Sequence, residues 1–412
     1  NFRCLFCFLM LSFALLSSMG FPNLPLVGRK ISPTDFFNVV DNIVYTADRQ
    51  RDELLSGVKR FVVSGDALSV LDPALYALQP ETSAIAITGA TDGLGREAAL
   101  FLAKAGFSII ICARDTSKGE RAVQYIRALS SASKLSVVPL DLSSVRSVQD
   151  AAPLIAAAAA GFGKPLRGLI LNAGVWPGQL QKTEDGMELA LQANHIGHWQ
   201  LTKLLLPEMQ NGGNEVRIVT TSSSAHASVL EAGSADPLWN RRSFDTNVNY
   251  GRSKFANMLF AQELAERAPA GVRSLVVHPG LVLTTLFKEL GPSYAGGGFT
   301  GRSAVEDRLA GIPALRELQS STPLKLVLKS PTEGCRPLLY ALLAPGLANG
   351  AYIADCEVRD ISPASKSVVK RKELWEWTRS WVEQRVAEIS EQMTETSVTT
   401  CEEDDECGLP SD

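Results

Sequence analysis

Short apolar runs alternate with helix-length segments from Ile85 onward, and this alternation constrains the fold more than any other feature of the sequence. The runs are rich in β-branched residues and almost continuously apolar, which is typical of parallel strands buried on both faces of a sheet. The segments between them are amphipathic or alanine-rich, as crossover helices are. We therefore predict an α/β fold with a doubly wound parallel sheet in a single catalytic domain. The predicted strands cover residues 85–88, 107–112, 135–140, 168–171, 216–221, 272–277 and 351–354.

The composition is that of an ordinary globular protein, which excludes disorder, collagen and coiled coil for the body of the chain. Of 412 residues, 45% are apolar and 20% are charged. Forty basic and 44 acidic side chains leave a formal charge of −4, with no basic excess to neutralise a phosphate backbone. We predict no nucleic-acid partner. Seven scattered cysteines and four histidines, without a ligand spacing, predict neither a disulfide framework nor a metal site.

The two ends of the chain differ from its body. An apolar stretch at residues 4–16, followed by small residues, has the size of a signal-peptide core, so residues 1–20 are predicted to be a signal or a membrane-anchor segment. Residues 21–79 lack a clear period and are predicted to be an N-terminal extension that packs on the main domain. The catalytic domain is predicted to cover residues 80–390. Residues 391–412, which contain an acidic run, are predicted to be a disordered tail.

A glycine-rich turn follows the first predicted strand and leads into a helical segment. Glycines at such a turn let backbone N–H groups approach a pyrophosphate, whose negative charge is favoured at a helix N-terminus. A strand before the turn and a helix after it are the context that a dinucleotide site requires. The sequence therefore predicts a Rossmann-type nucleotide site. Its candidate residues are Gly89, Thr91, Asp92, Gly93, Leu94 and Gly95.

Arg114 ends the second predicted strand, about 20 residues beyond the turn, where such a fold meets the adenosine ribose. An acidic residue there would accept a hydrogen bond from the ribose 2′-hydroxyl, whereas an arginine accommodates a 2′-phosphate. Arg114 therefore favours NADP as the cofactor over NAD. The neighbouring Asp115 tempers that choice, and a surface arginine at a strand end is the alternative.

Tyr250 and Lys254 stand at the head of a strongly helical run that reaches Arg267. Positions i and i+4 share one helix face, so the phenol and the ammonium group can point into one cleft. A pair at this spacing also occurs on many surface helices. Here the run lies between two predicted strands. Serines 222–224 directly follow the first strand, and residues 278–280 directly follow the second. This context favours an active site.

Together these motifs resemble the short-chain dehydrogenase/reductase family. Within that family the sequence is most similar to the retinol dehydrogenase-like group, which also contains WW-domain oxidoreductases and plastid-envelope relatives. The resemblance extends over residues 82–385. It rests on the glycine turn and on Asn194-His195-Ile196-Gly197-His198, Tyr250-Gly251-Arg252-Ser253-Lys254, Pro331-Thr332-Glu333-Gly334 and Gly350-Ala351-Tyr352.

The resemblance implies a role for each matching residue. Ser223 would hydrogen-bond the substrate carbonyl oxygen, with Ser222 as the fallback assignment. Tyr250 would be the general acid of carbonyl reduction or the base of alcohol oxidation. Lys254 would bind the nicotinamide ribose and lower the pKa of the tyrosine, and Asn194 would hold a water relay behind the lysine. Further cofactor contacts are implied for Asp141, Leu142, Asn172, Ala173, Gly174, Pro279, Gly280 and Thr284, in addition to Tyr250 and Lys254.

We therefore expect an NADP(H)-dependent oxidoreductase that interconverts a carbonyl and an alcohol by direct hydride transfer. The resemblance implies a lipophilic substrate, either an aldehyde or ketone or a retinoid-like alcohol. Trp176, Trp239 and Phe287 are candidates to line an apolar pocket, with local packing as the alternative. A scaffold that senses NADP(H) through a partner contact is the competing hypothesis, but the full set of active-site residues favours an enzyme.

The remaining expectations concern the histidines, location and assembly. His195 and His198 are expected to pack and hydrogen-bond on a helix rather than to ligate a metal. The apolar N-terminus and the resemblance imply membrane association, most of all at the endoplasmic reticulum. A plastid reached by a signal plus transit peptide and the cytoplasm are the alternatives. A homodimer is left open.

Overall fold

A computed structural model describes residues 72–130, 134–211, 215–228, 245–282 and 328–404, with the backbone alone for residues 395–404. The strands in these ranges are β1 (Ala84–Thr88), β2 (Ser108–Ala113), β3 (Leu135–Pro139), β4 (Leu166–Leu171), β5 (Val216–Thr221), β6 (Val272–His278), β7 (Leu281–Val282), β8 (Leu328–Lys329), β9 (Tyr352–Ala354) and β10 (Glu357–Arg359). Eight of them form one sheet in the order β3-β2-β1-β4-β5-β6-β9-β10. Its pairings are parallel except for β10, which is antiparallel to β9, and β7 and β8 form a separate parallel pair.

The helices that connect these strands are α1 (Gly93–Lys104), α2 (Thr116–Leu129), α3 (Val145–Gly161), α4 (Leu189–Leu191), α5 (Gly197–Gln210), α6 (Thr246–Arg267), α7 (Pro331–Gly334), α8 (Arg336–Leu343) and α9 (Val368–Asp404). A π-helical segment, Gln192–Ile196, joins α4 to α5. Short 3₁₀ turns lie at Pro73–Leu75, Pro80–Thr82, Ser224–Ser228 and Pro363–Lys366. No helix within the described ranges is both long enough and apolar enough to cross a bilayer.

The sheet is buried on both faces because its strands alternate side chains between two apolar layers. In β1, Ile85 and Ile87 pack with α1, α2 and α8, whereas Ala84 and Ala86 face the layer that contains α3, α5, α6 and α9. All five residues of β1 are buried. This two-sided burial confirms the predicted doubly wound α/β fold.

The strand order reverses between β1 and β4, which lie side by side in the centre of the sheet. In open parallel sheets a crevice forms at such a point, outside the carboxyl ends of the strands. The glycine-rich turn follows β1, and the turn at residues 172–174 follows β4. The topology therefore brings these two predicted cofactor segments to one edge of the sheet.

The structure bears out the seven predicted strands to within about two residues at each end, the usual uncertainty of such boundaries. It adds β7, β8 and β10, which are two or three residues long and too short to leave a periodic pattern. The disordered tail predicted from residue 391 is wrong as far as Asp404, because α9 continues to that residue. Its sequence there includes Glu391, Gln392, Met393 and Glu395, which are good helix formers.

The end of the predicted N-terminal extension is part of the folded core. Tyr76 and Leu78 are buried against the layer that contains α1 and α8. Between them, the Ala77 N–H donates a 2.9 Å hydrogen bond to the carbonyl oxygen of Leu343 at the end of α8. The folded unit therefore starts at least four residues before the predicted boundary at residue 80. The earlier part of that segment, the N-terminal 20 residues and residues 405–412 lie outside the described ranges.

Candidate active site

The glycine-rich turn is built so that only glycine fits at its key positions. Gly89 and Gly93 have φ angles of +66° and +53°, in the left-handed region that favours glycine. A Cβ on Gly95 would overlap the carbonyl oxygen of Gly89 and lie 2.7 Å from Nδ2 of Asn172. The Asp92 carboxylate accepts a 2.7 Å hydrogen bond from the Gly93 N–H, at the point where α1 begins. The turn therefore exposes backbone, rather than side chains, next to a helix N-terminus.

Thr88 ties this turn to the turn after β4. Its hydroxyl oxygen accepts hydrogen bonds from the backbone N–H groups of Asn172 (2.9 Å) and Ala173 (3.0 Å). The same hydroxyl lies 2.9 Å from Nε2 of His198, whose Nδ1 lies 2.9 Å from the carbonyl oxygen of Asn194. Because that carbonyl can only accept, Nδ1 carries the proton and Nε2 accepts from Thr88. Burial lowers the pKa of His198 to about 3, so the ring is neutral, as this arrangement requires.

Asn194 lies in the π-helical segment and is fully buried. Its side-chain oxygen accepts from the Val175 N–H (2.7 Å), and its amide group donates to the Val175 carbonyl (3.0 Å) and to the Ser253 hydroxyl (2.8 Å). Ser253 in turn donates to the carbonyl oxygen of Tyr250 (2.8 Å). Asn194 thus connects the turn after β4 to helix α6. Its predicted role in a water relay stays a prediction.

Tyr250 and Lys254 lie one turn apart near the start of α6, and both are buried. The Ser223 side chain lies close enough to the Tyr250 hydroxyl to favour its ionised form. The Lys254 ammonium lies 5.7 Å from the centre of the Tyr250 ring and donates to the carbonyl oxygen of Thr221 at 3.3 Å. The structure therefore brings the predicted serine, tyrosine and lysine together, just after the end of β5 and near the start of α6.

The predicted lowering of the Tyr250 pKa is wrong for this environment. Burial raises the pKa of Tyr250 to about 12, and the nearby Ser223 side chain only partly opposes it. Burial also lowers the pKa of Lys254 to about 8, which weakens the charge available to stabilise a phenolate. Desolvation of both groups therefore outweighs their proximity.

The structure also distinguishes the two candidate serines. The hydroxyl of Ser222 is buried and donates to the backbone carbonyl oxygen of Lys254 at 2.8 Å. Ser223 is half-buried, accepts from the Ala225 N–H at 3.3 Å, and lies close to the Tyr250 hydroxyl. Of the two serines, only Ser223 lies beside the Tyr250 phenol, which favours it over the fallback assignment.

The region of the predicted adenosine site lies at the carboxyl ends of β2 and β3. Arg114 is exposed at the end of β2. Asp115 caps α2, where its carboxylate accepts a 3.0 Å hydrogen bond from the Lys118 N–H. After β3, Asp141 accepts from the N–H (2.9 Å) and the hydroxyl (2.6 Å) of Ser143. Asp115 therefore has a structural role of its own as the cap of α2.

Leu142 and Gly174 surround the Asn194 segment closely. Leu142 is buried, and a Cβ on Gly197 would overlap its carbonyl oxygen. A Cβ on Gly174 would lie 3.2 Å from the Lys254 ammonium and 3.3 Å from the side-chain oxygen of Asn194. Gly197 therefore leaves no room for a side chain beside Leu142, and Gly174 lies close to both the Lys254 ammonium and the Asn194 side chain.

The turn after β6 has a partner that the sequence did not indicate. Gly280, with a φ angle of +82°, follows Pro279, and a Cβ there would overlap the end of the Lys329 side chain. Lys329 is buried and forms an ion pair with Asp355, in the tight turn between β9 and β10. Nothing in the local sequence pattern links residues so far apart. Three other predicted site residues, Thr284, Trp239 and Phe287, lie outside the described residues.

His198 is a second residue whose role sequence reasoning did not identify, although it was correctly expected to hydrogen-bond on a helix. Its spacing of four residues from Asn194 was a usable signal, because residues four apart share a helix face. His195 also behaves as expected. It is buried, lies 3.1 Å from the Thr378 hydroxyl of α9, and has a pKa lowered to about 3 by burial.

The chain is similar to proteins of known family. The family profile described as short chain dehydrogenase matches residues 83–295. Retinol dehydrogenase 12 of Bos taurus is 34% identical over 297 residues, which cover 71% of this chain and 83% of that protein. Polyprenol dehydrogenase of Mus musculus is 35% identical over 312 residues, which cover 74% and 84% respectively. A crystal structure of an uncharacterized protein from Mycobacterium Paratuberculosis matches with a TM-score of 0.53 and 27% identity, over 73% of this chain and 93% of that one.

Proposed function

The chain belongs to the short-chain dehydrogenase family and its retinol dehydrogenase-like group, and from that premise we propose that it is an NADP(H)-dependent carbonyl reductase or alcohol dehydrogenase. Carbonyl–alcohol oxidoreduction follows from the family. We propose in addition that the cofactor is NADP, that individual residues have the roles given below, and that the substrate is lipophilic.

The observation that carries the proposal is the placement of Tyr250 and Lys254, both buried and one helical turn apart, with the Ser223 side chain close to the phenol. A carbonyl oxygen placed between the serine and tyrosine hydroxyls would accept a hydrogen bond from each. As a hydride adds to the carbonyl carbon, Tyr250 would give its proton to the oxygen and leave an alcohol. In the opposite direction Tyr250 would take that proton back. With its pKa raised, Tyr250 is protonated at neutral pH and holds the proton that the acid role requires.

The segments after β1 and β4 fit a nicotinamide dinucleotide. The glycine cradle at Gly89, Gly93 and Gly95 leaves backbone space that any Cβ would fill, beside the N-terminus of α1. That arrangement suits a pyrophosphate. A bound cofactor of this kind would supply the hydride. Lys254 would then hold the hydroxyls of its nicotinamide ribose, at the end of the site where Gly174 leaves room.

The proposed preference for NADP rests on Arg114. It is exposed beside the expected position of the adenosine ribose, and it has no hydrogen bond or ion pair with another residue of the described ranges. Asp115, the residue that would favour NAD, is engaged as the cap of α2. Lys118, also exposed in the first turn of α2, would add positive charge to the same corner.

We further propose a lipophilic substrate and a membrane location. Two relatives are named as dehydrogenases of retinol and of polyprenol, and both of those names denote lipophilic alcohols. Residues 1–20 would direct the protein to a membrane, with the endoplasmic reticulum as the proposed site and a plastid or the cytoplasm as the alternatives. Fractionation of cells that express the chain with and without these residues tests this, and two equally soluble forms would contradict it.

The activity itself is tested with the purified full-length chain. A panel of retinoid, polyprenoid, steroid and medium-chain carbonyl compounds is offered with NADPH or NADH, and the loss of reduced-cofactor absorbance is followed. We expect turnover of at least one lipophilic carbonyl, faster with NADPH. Tight NADPH binding without turnover of any compound would instead favour the competing hypothesis of a cofactor-sensing scaffold.

A further inference from the structure

Trp176 lies flat against the ring of Tyr250. The two ring centres are 4.5 Å apart and the ring planes differ by 14°, which is a stacked arrangement. Tyr250 is buried, with 7% of its surface exposed, while Trp176 is half-buried. The indole therefore covers one face of the phenol that the proposed reaction uses as its acid.

The loop that carries Trp176 is held on both sides of that residue. Before it, Val175 gives its N–H and its carbonyl group to the Asn194 side chain, at 2.7 Å and 3.0 Å. After it, the carbonyl oxygen of Pro177 accepts a hydrogen bond from the hydroxyl of Thr246. Thr246 is the first residue of α6, the helix that also carries Tyr250. The loop is thus held by two hydrogen bonds to Asn194 and one to α6, so the indole cannot slide along the phenol without breaking a part-buried hydrogen bond.

We propose that Trp176 is a positioning residue for Tyr250, holding the phenol ring in the orientation in which its hydroxyl meets Ser223 and shielding its face from water. The inference rests on the proposed function, since it presumes that the Tyr250 hydroxyl is the reacting group. It also gives the Asn194 side chain a purpose: Asn194 fixes Trp176, and Trp176 fixes Tyr250.

Two physical arguments support this assignment. A stack of aromatic rings stabilises the pair beyond the area that it buries, so it favours one orientation of the Tyr250 ring. Proton transfer also depends on geometry, and a displacement of about 1 Å can cost roughly a hundredfold in rate. A tryptophan that only filled space would need neither the parallel ring planes nor a loop anchored on both sides.

The test compares three variants of the full-length chain. Trp176→Phe keeps a flat ring, and Trp176→Leu keeps apolar bulk without one. Trp377→Leu is the matched control, because Trp377 is a half-buried tryptophan of α9 that packs on the core layer away from Tyr250. We expect Trp176→Leu to lower kcat by about 10- to 100-fold with an NADPH dissociation constant within about twofold of the parent. Trp176→Phe should recover most of that loss, and Trp377→Leu should change neither constant.

A second readout does not depend on turnover. Burial is the main reason that the Tyr250 phenol resists ionisation. Without the indole, water should reach the ring, so Tyr250 should ionise at a pH about one unit lower in Trp176→Leu. The ionisation is measured as tyrosinate absorbance, by subtracting the same variant with Tyr250→Phe. An unchanged titration of Tyr250 would overturn the inference, as would an equal loss of kcat in Trp377→Leu.

The two readouts also separate this inference from the proposed function. If Tyr250→Phe alone left turnover intact, the acid role would be wrong, whatever Trp176 does. If Trp176→Leu were unfolded, Trp176→Phe would decide the question. Its smaller ring should still lower the pH at which Tyr250 ionises, by less than the one unit expected for Trp176→Leu. A Trp176→Phe variant with the titration and kcat of the parent, alongside a folded Trp176→Leu variant that also matches the parent, would contradict the assignment.

Discussion

The hydroxyl of Ser222 donates a 2.8 Å hydrogen bond to the backbone carbonyl oxygen of Lys254. This contact joins the end of β5 to the helix that carries both Tyr250 and Lys254. The Ser222 hydroxyl is therefore used to hold this helix in place. The side chain of the neighbouring Ser223 lies beside the Tyr250 phenol instead. The two adjacent serines therefore make different contacts, and the effect of losing each one can be measured.

Ser223→Ala should lower kcat by about 10²–10³-fold, the usual cost of losing one donor to a developing oxyanion. Ser222→Ala should instead lower the free energy of unfolding by about 1 kcal/mol, since one buried hydrogen bond is lost, and leave kcat within a few-fold of the parent. Steady-state kinetics and denaturant unfolding of the two variants make the comparison. The reverse pattern would assign the substrate contact to Ser222.

Arg114→Ala should shift the cofactor preference from NADPH towards NADH. A charge-assisted hydrogen bond to phosphate contributes about 1.5–3 kcal/mol, so the ratio of kcat/KM for the two cofactors should fall by about ten- to a hundredfold. Lys118→Ala is the comparison, because Lys118 is the other exposed cation at this corner. If the ratio moved only in Lys118→Ala, the phosphate contact would belong to the lysine.

Gly95→Ala should damage the nucleotide site through its backbone. The added methyl group would overlap the carbonyl oxygen of Gly89, and overpacking of this kind costs about 1–3 kcal/mol. We expect NADPH affinity to fall by at least about tenfold, as measured by titration calorimetry. Gly161→Ala is the matched control, since a Cβ there would meet nothing within 4 Å. An unaltered affinity in Gly95→Ala would separate this turn from the cofactor.

Carbonyl reduction should become slower as the pH rises through about 8. Burial lowers the pKa of Lys254 to about 8, so its ammonium form is complete below that pH and is lost above it. Tyr250, with a pKa raised to about 12, stays protonated throughout this window and adds no step of its own. A profile of kcat/KM against pH reports the groups of the free enzyme. Lys254→Arg should remove the step near pH 8, and a step that persisted would come from another group.

The fold and the central residues could be predicted because they leave local patterns. Seven strands appear as short apolar runs, and the glycine turn has a strand before it and a helix after it. The strand that ends before serines 222–224 and the helix headed by Tyr250 point to a site, and the family resemblance selects Ser223 among the three serines. Such signals depend only on residues close together in the chain.

The contacts that tune the site could not be predicted in this way. The stack of Trp176 on Tyr250 joins residues 74 positions apart, and the ion pair of Lys329 with Asp355 joins two elements that meet only in the folded sheet. The direction of the Tyr250 pKa was predicted wrongly for a related reason. Proximity to Lys254 follows from sequence spacing, but the extent of burial depends on what the rest of the chain places around the ring.

The central claim is that Tyr250 exchanges a proton with the substrate oxygen, and Tyr250→Phe tests it most directly. The phenyl ring preserves the stack on Trp176 while removing the hydroxyl that meets Ser223. The measurement is kcat for a carbonyl substrate identified in the NADPH screen, together with the NADPH dissociation constant of the same variant. We predict that kcat falls by about 10²–10⁴-fold while the dissociation constant stays within a few-fold of the parent. A variant that binds NADPH normally and keeps more than about a tenth of the parent's kcat would contradict the account.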